Sequence, residues 1–124
     1  MGWFDFLKRK ASKPEEGTKE KYWSLTTYEE EILDPTVEQI ETAVKNATRE
    51  KTIFATLSYV NSGLEIESVQ AISENNFYRF EALTTDGILY IKNNITSEET
   101  LELFTHYYKY QRVSGFRSWP TDTY

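Results

Sequence analysis

The single histidine, His106, stands in the run LFTHYYKY, with Glu102 four residues before it and Tyr110 four after. On a helix those three share one face. A carboxylate so placed orients an imidazole, as a hydrolase of the Ser–His–Asp type requires, so a small hydrolase using His106 is one reading. The chain contains no glycine-framed nucleophile such as G-x-S-x-G for that imidazole to activate. His106 therefore reads as a surface or boundary residue. Glu65 and Glu67, two apart, share a strand face, and Glu81 falls near them on the neighbouring strand. Carboxylates grouped in this way can hold a cation or work as paired acid and base. Arg79 on the adjacent strand suits partial neutralisation instead. The expectation is an acidic patch that meets a basic protein partner, since complementary charge speeds and orients docking.

Other chemistries are excluded by what the chain lacks. Without any cysteine, disulfides, thiolate metal sites and cysteine nucleophiles are absent together, and one histidine cannot build a multi-histidine metal site. The five glycines are isolated, so no phosphate-cradling loop exists. No metal, no cofactor and no catalytic residue is expected, and the chain reads as a non-enzyme. With 14 Lys and Arg against 20 Asp and Glu, the net charge is −6. A nucleic-acid binder neutralises phosphates with surplus positive charge, so nucleic acid is not an expected partner.

The charge is divided along the chain. Residues 1–21 carry six cations and four anions, and residues 22–124 carry eight and sixteen. The first segment holds Trp3, Phe4, Phe6 and Leu7 ahead of Lys8, Arg9 and Lys10. Its order is wrong for a secretory signal, and Phe6 stands where N-myristoylation needs Ser or Thr. It reads either as a weak interfacial anchor, with Trp3, Phe4, Phe6, Lys8, Arg9 and Lys10 at a membrane surface, or as a turn that packs back on the domain. No apolar run approaches the roughly 20 residues a membrane span requires. Residues 11–21, ASKPEEGTKEK, read as a linker, which leaves 22–124 as one domain.

Within that domain YWSLTTY, from Tyr22 to Tyr28, has the aromatic and β-branched composition of a short strand. Asp34-Pro35 opens a helix running to about Glu50, with Val37, Ile40, Val44 and Ala47 as its apolar stripe. Strand patterns follow at Ile53–Val60, Leu64–Ile72, Phe77–Thr84 and Ile88–Ile91, joined by loops too short for parallel crossovers. Asp86-Gly87 marks a hairpin. Thr96 with Glu99 suggests a capping box for a helix from Ser97 to about Arg112. The predicted architecture is α+β: a four- or five-stranded antiparallel meander sheet with two helices packed on one face.

Nine tyrosines and three tryptophans supply the side chains most enriched at interface hot spots. They gather toward the C-terminus, where Tyr107, Tyr110 and Trp119 join the acidic residues as candidate partner contacts and the aromatic tail packs on the domain. The chain from Asp34 onward, with its helix DPTVEQIETAV, its strand IFATLSYV, the meander, the late helix and Trp119 near the end, resembles bacterial immunity proteins that neutralise polymorphic toxins. The resemblance implies a small, acidic, cytoplasmic α+β protein that blocks a toxin by binding it. A toxin domain that attacks nucleic acid presents a basic cleft, which Glu65, Glu67 and Glu81, or the Glu29–Glu31 run, would occupy as a phosphate mimic. The alternative reading is a membrane-associated adaptor or phage-type accessory protein anchored through residues 1–10. Neither reading fixes the oligomeric state.

Overall fold

The computed structural model describes residues 20–48, 51–74 and 76–123. Strand β1 (Tyr22–Thr27) turns through the glutamate run into β2 (Glu31–Leu33), and helix α1 (Val37–Lys45) follows. The chain then forms the meander β3 (Phe54–Val60), β4 (Ile66–Glu74), β5 (Phe77–Thr84) and β6 (Ile88–Ile95). Helix α2 (Ser97–Tyr110), a 3-10 turn (Phe116–Ser118) and β7 (Thr121–Thr123) complete it. The result is one antiparallel sheet of seven strands in the order β2-β1-β3-β4-β5-β6-β7, so the expected four or five strands is too low a count. The four-strand meander is as the short loops required. The additional strands are the two edges: β2 presents only Ile32 to the core, and β7 is the wholly exposed run TDT.

The period-two alternation sorts the sheet into two unlike faces. On one, Leu25, Leu57, Val69 and Ala82 lie opposite one another across four strands. They join Ile40, Val44, Phe104 and Tyr107 of the two helices in the main core. Both helices therefore pack on this face. The other face carries two cross-strand rows, Ser24–Ser58–Ser68–Leu83 and Thr26–Thr56–Gln70–Glu81. A bulge between Ile66 and Ser68 shifts the register of β4 against β5 and puts Ile66 in the main core.

Both helices have side-chain caps, but α1 starts later than Asp34-Pro35 suggested. Its N-cap is Thr36, which accepts from the Gln39 backbone N–H (3.1 Å) while the Gln39 side chain accepts from Thr36 N–H (2.9 Å). This reciprocal arrangement satisfies two of the free donors of the first turn. Asp34 serves the β1–β2 ladder instead. It adopts φ 51°, donates its N–H to the Trp23 carbonyl and accepts from Trp23 N–H through Oδ1. The helix stops at Lys45, short of the predicted Glu50, which lies outside the described residues. Helix α2 has Thr96 as its N-cap, accepting from Glu99 N–H at 3.1 Å. The Glu99 carboxylate pairs with Lys92 at 3.1 Å.

The aromatic tail does pack on the domain. Phe116 is buried against Tyr90, with ring centroids 4.8 Å apart. Trp119 lies edge-on to Phe80, with Lys92 Nζ 5.5 Å from its ring. No described helix is long and apolar enough to cross a membrane.

Candidate functional site

A concavity among the described residues lies between the β1–β2 hairpin and α1. It is a groove of about 410 Å³ with Leu25, Ile32 and Ala43 among its lining and Glu30 and Glu38 as its carboxylates. Local hydrogen bonding fixes each wall. Thr27 turns the hairpin: its Oγ1 accepts from the N–H groups of Glu29 (3.2 Å) and Glu30 (3.3 Å), and its own N–H donates to the Glu30 carbonyl at 2.9 Å. The capping box sets the start of α1, and Glu38 falls in its first turn, where the helix dipole favours a negative charge. On the far side Thr52 donates both its hydroxyl (2.7 Å) and its N–H (3.0 Å) to the Asn46 carbonyl. The Asn46 side chain accepts from Lys51 Nζ at 3.4 Å.

Apolar lining beneath exposed carboxylates suits a particular guest. The aliphatic stem of a lysine or arginine would rest against the partly exposed Ile32 while its cationic head met Glu30 and Glu38. Next in the chain to Thr27, Tyr28 is 64% exposed and stands in the hairpin turn. Amphipathic aromatics of this kind are the commonest interface anchors.

The residues singled out from the sequence are not gathered in one place. Glu65 lies before β4, because the strand begins at Ile66, and its exposed carboxylate pairs with Arg117. Glu67 sits half-buried in the bulge, and its charge helps hold the Tyr107 phenol protonated. Glu81 is on the face away from the helices and only 5% exposed. It accepts from Arg79 Nε at 2.7 Å and from Gln70 Nε2 at 3.0 Å. Burial raises its pKa above the ordinary glutamate range, against the opposing pull of Arg79 and Gln70. The bulge and the end of the strand break the shared face expected for the three carboxylates, and among the described residues no acidic or histidine cluster is placed to hold a metal ion.

The aromatic candidates divide similarly. Tyr107 is fully buried, and its hydroxyl donates to the Ile66 carbonyl at 2.8 Å, so its ring is unavailable to a partner at the surface. Desolvation pushes its pKa upward. Tyr110 is 56% exposed with its ring 4.8 Å from that of His106, and Trp119 is half-buried. Trp3, Phe4, Phe6, Lys8, Arg9 and Lys10 lie outside the described residues. The groove itself was signalled in sequence only by the Glu29–Glu31 run; its other walls come from segments some 25 residues apart.

Compared with protein-family models, with curated proteins and with solved structures, the chain matches none.

Proposed function

We propose that this chain is a non-enzymatic binding protein that docks a basic protein partner at the groove between the β1–β2 hairpin and α1. The observation that carries the reading is the combination of apolar lining and two exposed carboxylates, Glu30 and Glu38, in one concavity. A partner lysine or arginine enters it with its stem against Ile32 and its head toward Glu30 and Glu38. Glu29 and the exposed Tyr28 extend the contact along the hairpin. The charge of −8 over residues 22–124 draws such a partner in and makes association sensitive to salt. The resemblance to immunity proteins gives the partner a class: a toxin domain with a basic cleft, blocked in the cytoplasm by occupation of that cleft.

The test is affinity capture from the source cell's lysate at low and high salt, with the captured protein then titrated by calorimetry. A single small basic protein, bound in fixed stoichiometry and released by salt, is the expected result. Replacing Glu30 by Lys and Glu38 by Gln should weaken its binding roughly tenfold or more. The second change is to Gln because Glu38 occupies the first turn of α1. Both side chains are exposed, so thermal unfolding should be nearly unchanged. Unaltered affinity in the double variant would overturn the groove as the contact.

A further inference from the structure

The flank of α1 that lines the groove runs the whole length of the helix. Glu38, Gln39, Thr42 and Asn46 recur at the spacing that puts them on one side. From Glu38 to Asn46 the helix rises about 12 Å. One lysine or arginine head occupies the carboxylates and leaves the carboxamides of Gln39 and Asn46 over. Each carboxamide already has its oxygen in use. Gln39 Oε1 accepts from the Thr36 N–H at 2.9 Å, and Asn46 Oδ1 accepts from Lys51 Nζ at 3.4 Å. Among the described residues nothing accepts from the NH2 group of either, so both donors are left to the groove. Lysine and arginine side chains carry donors only, so the acceptor must be another part of the same guest. A main-chain carbonyl is the acceptor that every peptide brings. A helical segment consumes its carbonyls internally, whereas an extended one leaves them outward. We infer that the groove reads a short extended segment of a basic protein, laid along α1. Gln39 and Asn46 donate to its main-chain carbonyls, and Glu30 and Glu38 receive its lysine or arginine.

Dimensions and local structure agree on this occupant. Between Gln39 and Asn46 the helix rises about 10 Å, the length of three extended residues. Thr52 joins the two walls at one end. Its carbonyl accepts from the Tyr28 N–H at 3.2 Å, while its hydroxyl and N–H donate to the Asn46 carbonyl. Gln39 is held at the other end by the cap of α1. Both carboxamides are therefore carried on fixed backbone, and donors placed in advance cost little ordering when a guest arrives. A donor-only cation leaves both of them unused, and so does a basic helix. The inference rests on the groove being the docking site and adds what the partner presents there: an exposed, unfolded stretch of main chain rather than a single side chain on a folded surface.

Two probes of equal charge separate main-chain reading from simple cation capture. One is the peptide acetyl-Ala-Lys-Ala-Lys-Ala-amide; the other is cadaverine, a dication with no acceptor. Each is titrated to millimolar concentration into the isotope-labelled full chain. The signals followed are the backbone amides and the carboxamide NH2 groups of Gln39 and Asn46. The expected result is that the peptide shifts both carboxamides together with the amides of Glu30 and Glu38, whereas cadaverine shifts Glu30 and Glu38 alone. Asn46→Ala changes no charge, and it should weaken the peptide roughly threefold to tenfold without a matching loss for cadaverine. Equal shifts of Glu30 and Glu38 by both probes, with the carboxamides unmoved, would overturn the extended segment and leave the groove as a cation site. No shift at Glu30 or Glu38 from either probe would overturn the groove itself, and the inference with it.

Discussion

The hydroxyl of Tyr107, fully buried in the last turn of α2, donates to the carbonyl of Ile66 at the bulge of β4, 41 residues earlier in the chain. This bond ties the late helix to the place where the sheet register shifts. A second, Tyr108 to the carbonyl of Pro35 at 2.7 Å, ties the same helix to the residue before the α1 cap. Two adjacent tyrosines thus anchor α2 to both halves of the fold.

Removing the first anchor isolates its contribution. Tyr107→Phe keeps the ring and its packing against Trp23 but leaves a buried carbonyl short of a donor, and should cost about 1–2 kcal/mol by urea unfolding. The buried phenol also has a pH signature. Its pKa is raised in the folded state, so its stabilisation is complete below the unfolded tyrosine value near 10 and is lost as the pH climbs beyond it. Part of the alkaline loss of stability should disappear in Tyr107→Phe; identical alkaline profiles would refute the assignment.

Glu81 makes the opposite end of the pH range informative. Burial raises its pKa in the folded state, so the contribution of this group is greatest below the unfolded value of about 4.3 and declines as the pH rises through the folded value. Glu81→Gln keeps an acceptor for Gln70 and removes the titration. The variant should show a flatter stability profile from pH 4 toward neutrality, read as thermal midpoints across that range. A profile as steep as that of the parent would show that the slope arises elsewhere.

Ile53 has φ 70°, a left-handed conformation costly for a β-branched side chain. It directly follows Thr52, which lines the groove. Glycine adopts this conformation freely, so Ile53→Gly should be more stable than Ile53→Ala by about 1 kcal/mol, the reverse of the usual order. Guanidinium unfolding of the two variants checks this, and equal midpoints would remove the strain.

The Thr36 cap sets the start of the helix that forms one groove wall. Thr36→Ala removes the acceptor for Gln39 N–H and should cost about 1 kcal/mol in thermal or denaturant unfolding. If the groove is the docking site, partner affinity should fall with it, because Glu38 and Gln39 lie in the turn that Thr36 caps.

The elements legible in the sequence were those whose hydrophobic period is enforced by the core. Val37, Ile40 and Val44 gave α1, and the alternation of β3 and β5 gave the meander. The edges were hidden for a physical reason: three residues pairing on one side need almost no apolar content, as β7 shows. The start of α1 was misplaced because Asp34, a fitting N-cap by type, is held in the β1–β2 ladder by Trp23. Glu81 illustrates a different obstacle. It was expected beside Glu65 and Glu67 on an acidic face, but it lies buried on the sheet face away from the helices, and a face opposite the helices is not thereby a wet face. The groove depends on Thr27, Glu38 and Thr52 coming together, and no local pattern in the chain encodes that meeting.

The two borders of the sheet carry one further consequence. Each is a strand of three residues, with Glu31 on β2 and Asp122 on β7. A strand so short offers a neighbouring molecule few free backbone donors and acceptors, and the acids repel a second border of the same kind. Growth of the sheet from molecule to molecule is therefore starved at both ends.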